Sequence, residues 1–234
     1  MFSGWLGGSE APLEWKYDDL PTPKSDEEYK EEAAKAIAVR LEWADSKDGW
    51  EEIQRERGVV LEQRELPGSW IHLVRARALL RNIEVEDIIR LTYDADLKER
   101  KTLIDDITNH EVIEEIVPGE LHVAHSQFSA PMGVTNREFV AIRTRKTLDD
   151  GRIIVAIQSV NVEGRPFSPG FVRGSSNSCL VVEKTKDKQG NDVVRVVTVD
   201  HIDPRGSVPS MVVNMFKKKA AERMEKLQAK YGKK

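Results

Sequence analysis

Residues 203–214 read Asp203-Pro204-Arg205-Gly206-Ser207-Val208-Pro209-Ser210-Met211-Val212-Val213-Asn214. Ser207 is a typical helix N-cap and Pro209 is favoured in a first helical turn, so this segment predicts a helix that runs to about Tyr231. Apolar side chains recur along one face of that helix, at Val208, Met211, Val212, Met215, Met224 and Leu227. An apolar face of this length has to be buried against another element.

The residues before this helix predict a sheet. Apolar and β-branched patterns indicate strands near 59–66, 70–80, 112–117, 121–130, 138–147, 152–160, 178–185 and 193–200. Asp149-Asp150-Gly151 and Lys188-Gln189-Gly190-Asn191 are typical of hairpin turns. Because such connections leave no room for a helical crossover, the sheet is expected to be largely antiparallel.

The N-terminal part predicts a further helix. Ser25-Asp26-Glu27-Glu28 is a capping box, and the apolar residues that follow it recur at helical spacing. A second helical piece is expected around Trp50 and Ile53. Residues 1–24 lack periodicity and are expected to form a flexible arm, which leaves 25–234 as one domain. The whole order predicts an α+β fold in which a curved antiparallel sheet wraps round the last helix.

Composition narrows the class of protein. The 234 residues are 39% hydrophobic and 32% charged, which excludes collagen-like and wholly disordered chains. The single cysteine, Cys179, cannot form an internal disulfide. Since the sequence also shows no targeting or membrane-spanning pattern, it predicts a cytoplasmic protein. Residues 217–234 hold eight Lys/Arg and two Glu, a net charge of +6. Because the whole chain has a net charge of −4, residues 1–216 have a net charge of −10. An acidic body argues against nucleic-acid binding.

Four motifs in the expected order carry a resemblance to a known family. They are Asp94-Ala95-Asp96-Leu97-Lys98 with Lys101 and Ile104-Asp105, Pro131-Met132 with Asn136-Arg137-Glu138-Phe139-Val140, Gly170-Phe171-Val172-Arg173, and the 203–214 segment. From Trp50 onward the chain resembles the START lipid-transfer family, the steroidogenic-acute-regulatory-protein-related domains with a helix-grip fold. This resemblance implies that the sheet and the last helix enclose an apolar cavity.

The resemblance also implies a function. It predicts a monomer that binds a single lipid, phospholipid or sterol, and transfers it between membranes or senses it, with no cofactor, no metal and no catalytic residue. Two alternatives stay open, an aromatase/cyclase-type enzyme on a related fold and a regulatory module that responds to its ligand. His122 and His125 lie three apart on a predicted strand, so they point to opposite faces and are not expected to bind one metal ion.

The predicted lipid-binding residues come from several elements: Lys101, Asp105, Phe128, Arg143, Met211, Val212 and Met215. The family places a cation and an acid at the cavity where this chain has Lys101 and Asp105, although residues four apart on a helical turn also form ordinary surface pairs. The acid of cholesterol-binding members falls at Ala124, and their buried arginine falls at Arg143. Strand alternation alone puts Arg143 outside, because Val140 and Ile142 form the more apolar face.

A membrane-contacting surface is predicted near the end of the apolar helix face. Lys217, Lys218 and Lys219 directly follow Met215 and Phe216, and apolar and basic groups side by side suit an anionic membrane surface. Leu148, at the tip of the 147–151 hairpin, is a second expected anchor. These residues predict a protein that associates peripherally with membranes.

Overall fold

The computed structural model describes residues 20–131, 133–206 and 208–231. Four α-helices lie in this part of the chain, α1 Asp26–Asp45, α2 Val85–Ile89, α3 Leu97–Arg100 and α4 Ser210–Tyr231, and a π-helical turn, Arg90–Asp94, follows α2. Its strands are β1 Glu51–Glu56, β2 Val59–Arg64, β3 Leu73–Leu80, β4 Ile107–Val117, β5 Leu121–Phe128, β6 Asn136–Thr147, β7 Ile153–Ser159, β8 Phe171–Arg173, β9 Ser175–Lys186 and β10 Asp192–Asp203.

The strands form one sheet in the order β1-β2-β3-β10-β9-β7-β6-β5-β4, in which neighbouring strands are antiparallel. The short strand β8 lies parallel beside β6. Helix α4 packs on one face against β2, β3 and β10, and α1 packs on the other face against β6, β7, β9 and β10. The predicted α+β helix-grip fold, a curved antiparallel sheet round a long C-terminal helix, is confirmed.

Both faces of the sheet are therefore covered, and alternate residues of one strand enter different cores. On β10, Val194 and Val196 pack with Met224 of α4, whereas Val197 and Val199 pack with Trp43 of α1. Because the side chains of a strand alternate between its faces, each central strand is apolar on both sides.

Local signals explain α1 but not the segment after it. The Ser25 hydroxyl accepts a hydrogen bond from the Glu28 amide, as the capping box predicts. The helical prediction around Trp50 and Ile53 is wrong, because residues 51–56 pair with β2 as an edge strand. Residues 1–19 of the predicted arm lie outside the described residues. Farther along the arm, the Pro21 carbonyl accepts a hydrogen bond of 2.8 Å from the Asn161 amide.

The turn from β10 to α4 is fixed by hydrogen bonds. The Asp203 carboxylate accepts from the Arg205 amide at 2.8 Å, and Arg205 and Gly206 have left-handed φ values of 50° and 64°. The buried guanidinium of Arg137 donates to the carbonyls of Pro204, at 2.6 Å, and Arg205, at 3.0 Å. Strand β6 thus holds the turn from which α4 starts.

A second polar cluster lies beside this turn, around the fully buried Glu138. Its carboxylate accepts from Arg173 Nε at 3.0 Å and from the Ser168 amide at 3.1 Å, and it lies 2.9 Å from His125 Nε2. Burial raises the pKa of Glu138, but the hydrogen bonds from Ser168, His125 and Arg173 outweigh it and lower the pKa to about 2. Glu138 therefore ties β8 and the loop before it to β6.

We expect this cluster to make stability depend on pH. A depressed carboxyl pKa stabilises the fold fully above the ordinary value of about 4.5, and the contribution is lost as pH falls toward about 2. Glu138→Gln should lower the unfolding free energy at pH 7 by about 3 kcal/mol, because Arg173 then lacks its buried partner. Urea unfolding between pH 7 and pH 3 should show the gap between parent and variant closing.

Glu183→Gln is the matched control, since Glu183 forms a more exposed pair with Arg195. It should change the unfolding free energy by less than about 1 kcal/mol. A Glu138→Gln gap that stays constant over the pH range would contradict the expected role of this carboxylate.

Candidate functional site

A cavity of about 240 Å³ lies between the sheet and one side of α4, from Met215 to Lys226. Its apolar wall comes from side chains on β5, β6, β7 and β10: Ala124, Phe128, Phe139, Ala141, Ile157 and Ile202. The segment after α3 and the loop after β5 close its sides. Met215 of α4, 44% exposed, lies at its edge.

A smaller cavity of about 120 Å³ adjoins it beneath the C-terminal half of α4. The two share seven lining residues: Leu103, Ile104, Arg143, Ile157, Ser178, Asp200 and Arg223. The smaller cavity is bounded mostly by buried residues, whereas the larger one reaches the exposed Pro131 and Met215. A ligand that fills both would therefore extend from the protein surface into the core.

The space exists because small side chains of the sheet face α4. Ala124 and Ala141 are cross-strand partners on β5 and β6, and Ser176 and Ser178 present short hydroxyls from β9. One side of α4 packs on the sheet through side chains that are almost fully buried, those of Ala220, Ala221, Met224 and Leu227. The adjacent side of the helix, from Met215 to Lys226, borders the cavity.

Arg143 lines both cavities. Its Nη2 donates to the Thr92 carbonyl, its own carbonyl accepts from the Tyr93 hydroxyl at 3.3 Å, and its buried Nε has no hydrogen-bond partner among the described residues. Burial lowers its pKa to about 10. The expectation from strand alternation is wrong here because Val140 and Ile142 pack in the core that includes Tyr29 and Ala33 of α1, which leaves the opposite face of β6 to the cavity.

A second arginine, which is buried, lies next to the smaller cavity. Arg100 is 4% exposed and donates to the carbonyls of Ala95, Thr92 and Tyr93 at 2.8, 3.2 and 2.7 Å. Burial, followed by the charge of Arg143, lowers its pKa to about 9. Lys101, the expected cation, is exposed and lines neither described cavity. Successive residues on a helical turn point in different directions, so Arg100 is buried while its neighbour Lys101 is exposed.

Ion pairs connect α4 to the walls of the cavity. Lys226 pairs with Asp105 at 2.5 Å, Lys219 pairs with Asp106, and Arg223 pairs with Asp200 of β10. Asp105 lines the larger cavity as expected, but its partner is Lys226 and not Lys101. These long-range pairs were not visible in the sequence, because their members lie more than 20 residues apart.

The aromatic wall depends on one glycine. Phe128 and Phe139 meet edge to face with ring centroids 5.5 Å apart. A Cβ atom on Gly174, the residue just before β9, would lie 2.4 Å from the Phe139 ring, so only glycine fits at this position. The side chains of Met211 and Val212, two of the expected lipid-binding residues, lie outside what the structure describes.

A START domain family model matches residues 38–227, more than half of the chain. The chain belongs to the START domain family. Its fold is similar to that of human StAR-related lipid transfer protein 5, with a TM-score of 0.77 and 22% identity over 89% of this chain and 98% of that one. Human STARD10 has a TM-score of 0.70 and 17% identity over 90% of this chain and 81% of that one. A STAR-related lipid transfer protein from Xanthomonas axonopodis has a TM-score of 0.66 and 22% identity over 80% of this chain and 100% of that one. A search of curated proteins found no match.

The residues expected at a membrane do not share one surface in this START domain. Lys218 is exposed, but Lys217 donates to Gln63 at 2.9 Å and Lys219 pairs with Asp106. Leu148 is partly buried against the core beneath α1, and its hairpin lies at the end of β6 opposite to the loop that lines the cavity. None of the described helices is long and apolar enough to cross a membrane.

We expect two cavity-lining arginines of this START domain to differ in their effect on stability. Arg143→Met should leave the unfolding free energy of the ligand-free protein within about 1 kcal/mol of the parent, or raise it, because a buried cation without a carboxylate is replaced by an apolar group. The Thr92 carbonyl keeps its hydrogen bond from Arg100. Arg137→Met should cost about 2 to 4 kcal/mol, because two buried carbonyls lose their donor.

Urea unfolding of the two variants, freed of lipid, measures the difference. A loss in Arg143→Met as large as that in Arg137→Met would show that Arg143 serves the fold and not the cavity.

Proposed function

We propose that this START domain binds one lipid in the cavity under α4 and carries it between membranes. The observation that supports this best is the apolar space between the sheet and α4, which extends from the exposed Met215 to the partly buried Arg143. Each methylene group that enters such a space contributes about 0.8 kcal/mol to binding. Membership of the START domain family favours the same function, and so does the similarity to two structures named as lipid transfer proteins.

We propose Phe128, Met215, Asp105 and Arg143 as lipid-binding residues, because each lines the larger cavity. Phe128 and Met215 are suited to the apolar part of the ligand, and Arg143 to its polar head. Met211 and Val212 remain predictions. Lys101 is not retained, since its side chain faces solvent.

We propose that the protein binds its lipid without altering it chemically. Three of the carboxylates that line the cavity, Asp105, Asp106 and Asp200, are engaged by Lys226, Lys219 and Arg223, and the fourth, Glu222, is exposed. Among the described residues the cavity therefore offers no pair of free carboxylates for acid–base chemistry. Incubation with the bound lipid, followed by mass analysis of that lipid, tests this: a chemically altered ligand would favour the cyclase-type alternative.

We propose that the membrane meets the edge of the cavity at Met215, Pro131 and Lys218. All three are exposed, and Met215 and Lys218 lie three residues apart on one side of α4. This surface combines apolar and cationic groups at the point where the cavity reaches the exterior. Leu148 is not included, because its hairpin lies at the far end of β6.

Filling the cavity should abolish lipid binding without unfolding the protein. Ala124→Phe and Ala141→Phe each add a ring to the wall of the larger cavity, and we expect each to weaken lipid binding at least tenfold. Native mass spectrometry, which reads both the monomer mass and the number of bound lipids, measures the effect. Val112→Phe, at a β4 position that is 54% exposed, adds the same ring outside the cavity and should bind lipid as the parent does.

An unchanged lipid occupancy in both alanine variants, with cooperative unfolding retained, would contradict the proposed binding site.

Removing the charge of Lys218 should slow transfer from anionic membranes. A lysine near such a surface contributes about 1 kcal/mol, so Lys218→Gln should reduce the transfer rate about fivefold at low salt. The difference should vanish in about 1 M salt, where the Debye length is roughly 3 Å. Lys188→Gln, which alters an exposed lysine in the β9–β10 hairpin, is the control. Equal rates for the Lys218 and Lys188 variants on anionic liposomes at low salt would place the membrane contact elsewhere.

A further inference from the structure

The smaller cavity carries an excess of positive charge. The charged side chains that line it are Arg100, Arg143, Arg223 and Asp200, three cations and one anion. Asp200 is held by Arg223, Glu99 next to Arg100 in the chain pairs with Arg90, and Asp94, whose charge acts on Arg100, pairs with Arg145 at 3.3 Å. Within the described residues, Arg100 and Arg143 thus make no ion pair with a carboxylate.

Hydrogen bonds to carbonyls do not remove this charge. Arg100 is engaged by three backbone carbonyls and Arg143 by one, and both keep a full positive charge, Arg100 in a buried position and Arg143 in a partly buried one. An isolated buried charge is costly, and proteins compensate it with a partner of opposite sign. In a binding site that partner can be the ligand.

Unused donors point in the same direction. The Nε atoms of Arg143 and Arg223, which both line the two cavities, are buried and have no hydrogen-bond partner among the described residues. The Thr198 hydroxyl, in the smaller cavity, is also without one. A hydroxyl head group would accept some of these hydrogen bonds and leave the charge in place, whereas a carboxylate would accept them and neutralise one cation.

The size of the site limits the rest of the ligand. Cavities of 240 and 120 Å³ together lie near the lower end of the 300 to 1,000 Å³ range that is usual for small-molecule sites. The space has two adjoining lobes, an outer one that reaches the exterior and an inner one that adds Arg100 to the cations Arg143 and Arg223, which line both. One acyl chain with a small head suits this shape better than a phospholipid with two chains.

We propose that the ligand is a single-chain amphiphile with a carboxylate head, a long-chain fatty acid, whose carboxylate binds Arg143 in the smaller cavity while its tail lies in the larger one. This assignment rests on the proposed lipid-binding function and specifies its ligand class. Asp200 stays with Arg223, so the carboxylate takes the place of the acid that Arg143 lacks.

The test compares three ligands that share one chain: dodecanoate, dodecanol and dodecyl phosphate, titrated calorimetrically into protein freed of lipid. We expect dodecanoate to bind about 10- to 100-fold more tightly than dodecanol, as charge-assisted hydrogen bonds to a buried cation imply. Equal affinities for these two would overturn the anionic head group. Tighter binding of dodecyl phosphate than of dodecanoate would replace the carboxylate by a phosphate monoester.

Arg143→Met should lose the preference for dodecanoate, so that dodecanoate and dodecanol bind to this variant with similar affinity. Arg195→Met, at a position 47% exposed in its side chain on β10, should keep the preference. If Arg143→Met does not fold, the three ligands on the unaltered chain still decide. A protein that binds phosphatidylcholine or a sterol but none of the three ligands would overturn this inference alone, whereas one that binds no lipid of any kind would also overturn the proposed function.

Discussion

The hold of Arg137 on the β10–α4 turn is the constraint on which the binding site depends. Its guanidinium donates to the carbonyls of Pro204 and Arg205, and α4 begins a few residues later. A long helix that starts at a fixed point and packs tightly at its far end, through Met224 and Leu227, has little freedom to settle onto the sheet in between. The space between α4 and the sheet therefore persists, because closing it would require either the turn or the far end of the helix to move.

Two covered faces explain why this space can exist in a stable domain. The face under α1 is filled by residues such as Val140, Ile142 and Val199, and that core does not depend on what lies under α4. Small residues on the opposite face, Ala124 and Ala141, thus reduce packing only where a ligand can replace it. A void lowers the stability of a protein roughly in proportion to its size. The cavity is confined to the face under α4, whereas the core under α1 is well packed, and this distribution favours a functional origin for the cavity.

The sequence carried enough information for the fold and only part of the site. Local signals predicted α1 and α4, since caps and helical periodicity depend on neighbouring residues, and short turns predicted the antiparallel strands. The pairing of residues 51–56 with β2 was missed because an edge strand with many charged residues, such as Glu51 and Arg55, lacks strand periodicity. Arg100 was missed for another reason: which of two adjacent cations turns inward depends on the carbonyls of the preceding turn, and no local pattern encodes that.

Charged side chains near the edge of the cavity form ion pairs, whereas Arg143, farther inside, has no carboxylate partner among the described residues. Near the edge of the cavity, Lys226 and Lys219 of α4 are matched by Asp105 and Asp106, so a ligand that passes them meets little net charge. Farther in, the Arg143 guanidinium has only the Thr92 carbonyl as a partner, and burial lowers its pKa without removing its proton near neutral pH. Electrostatic energy grows as the surroundings become less polar, so the inner cation attracts an anion far more strongly than the balanced edge does. A gradient of this kind orients an amphiphile with its charged end inward, and its apolar tail then completes the core that α4 leaves unfilled.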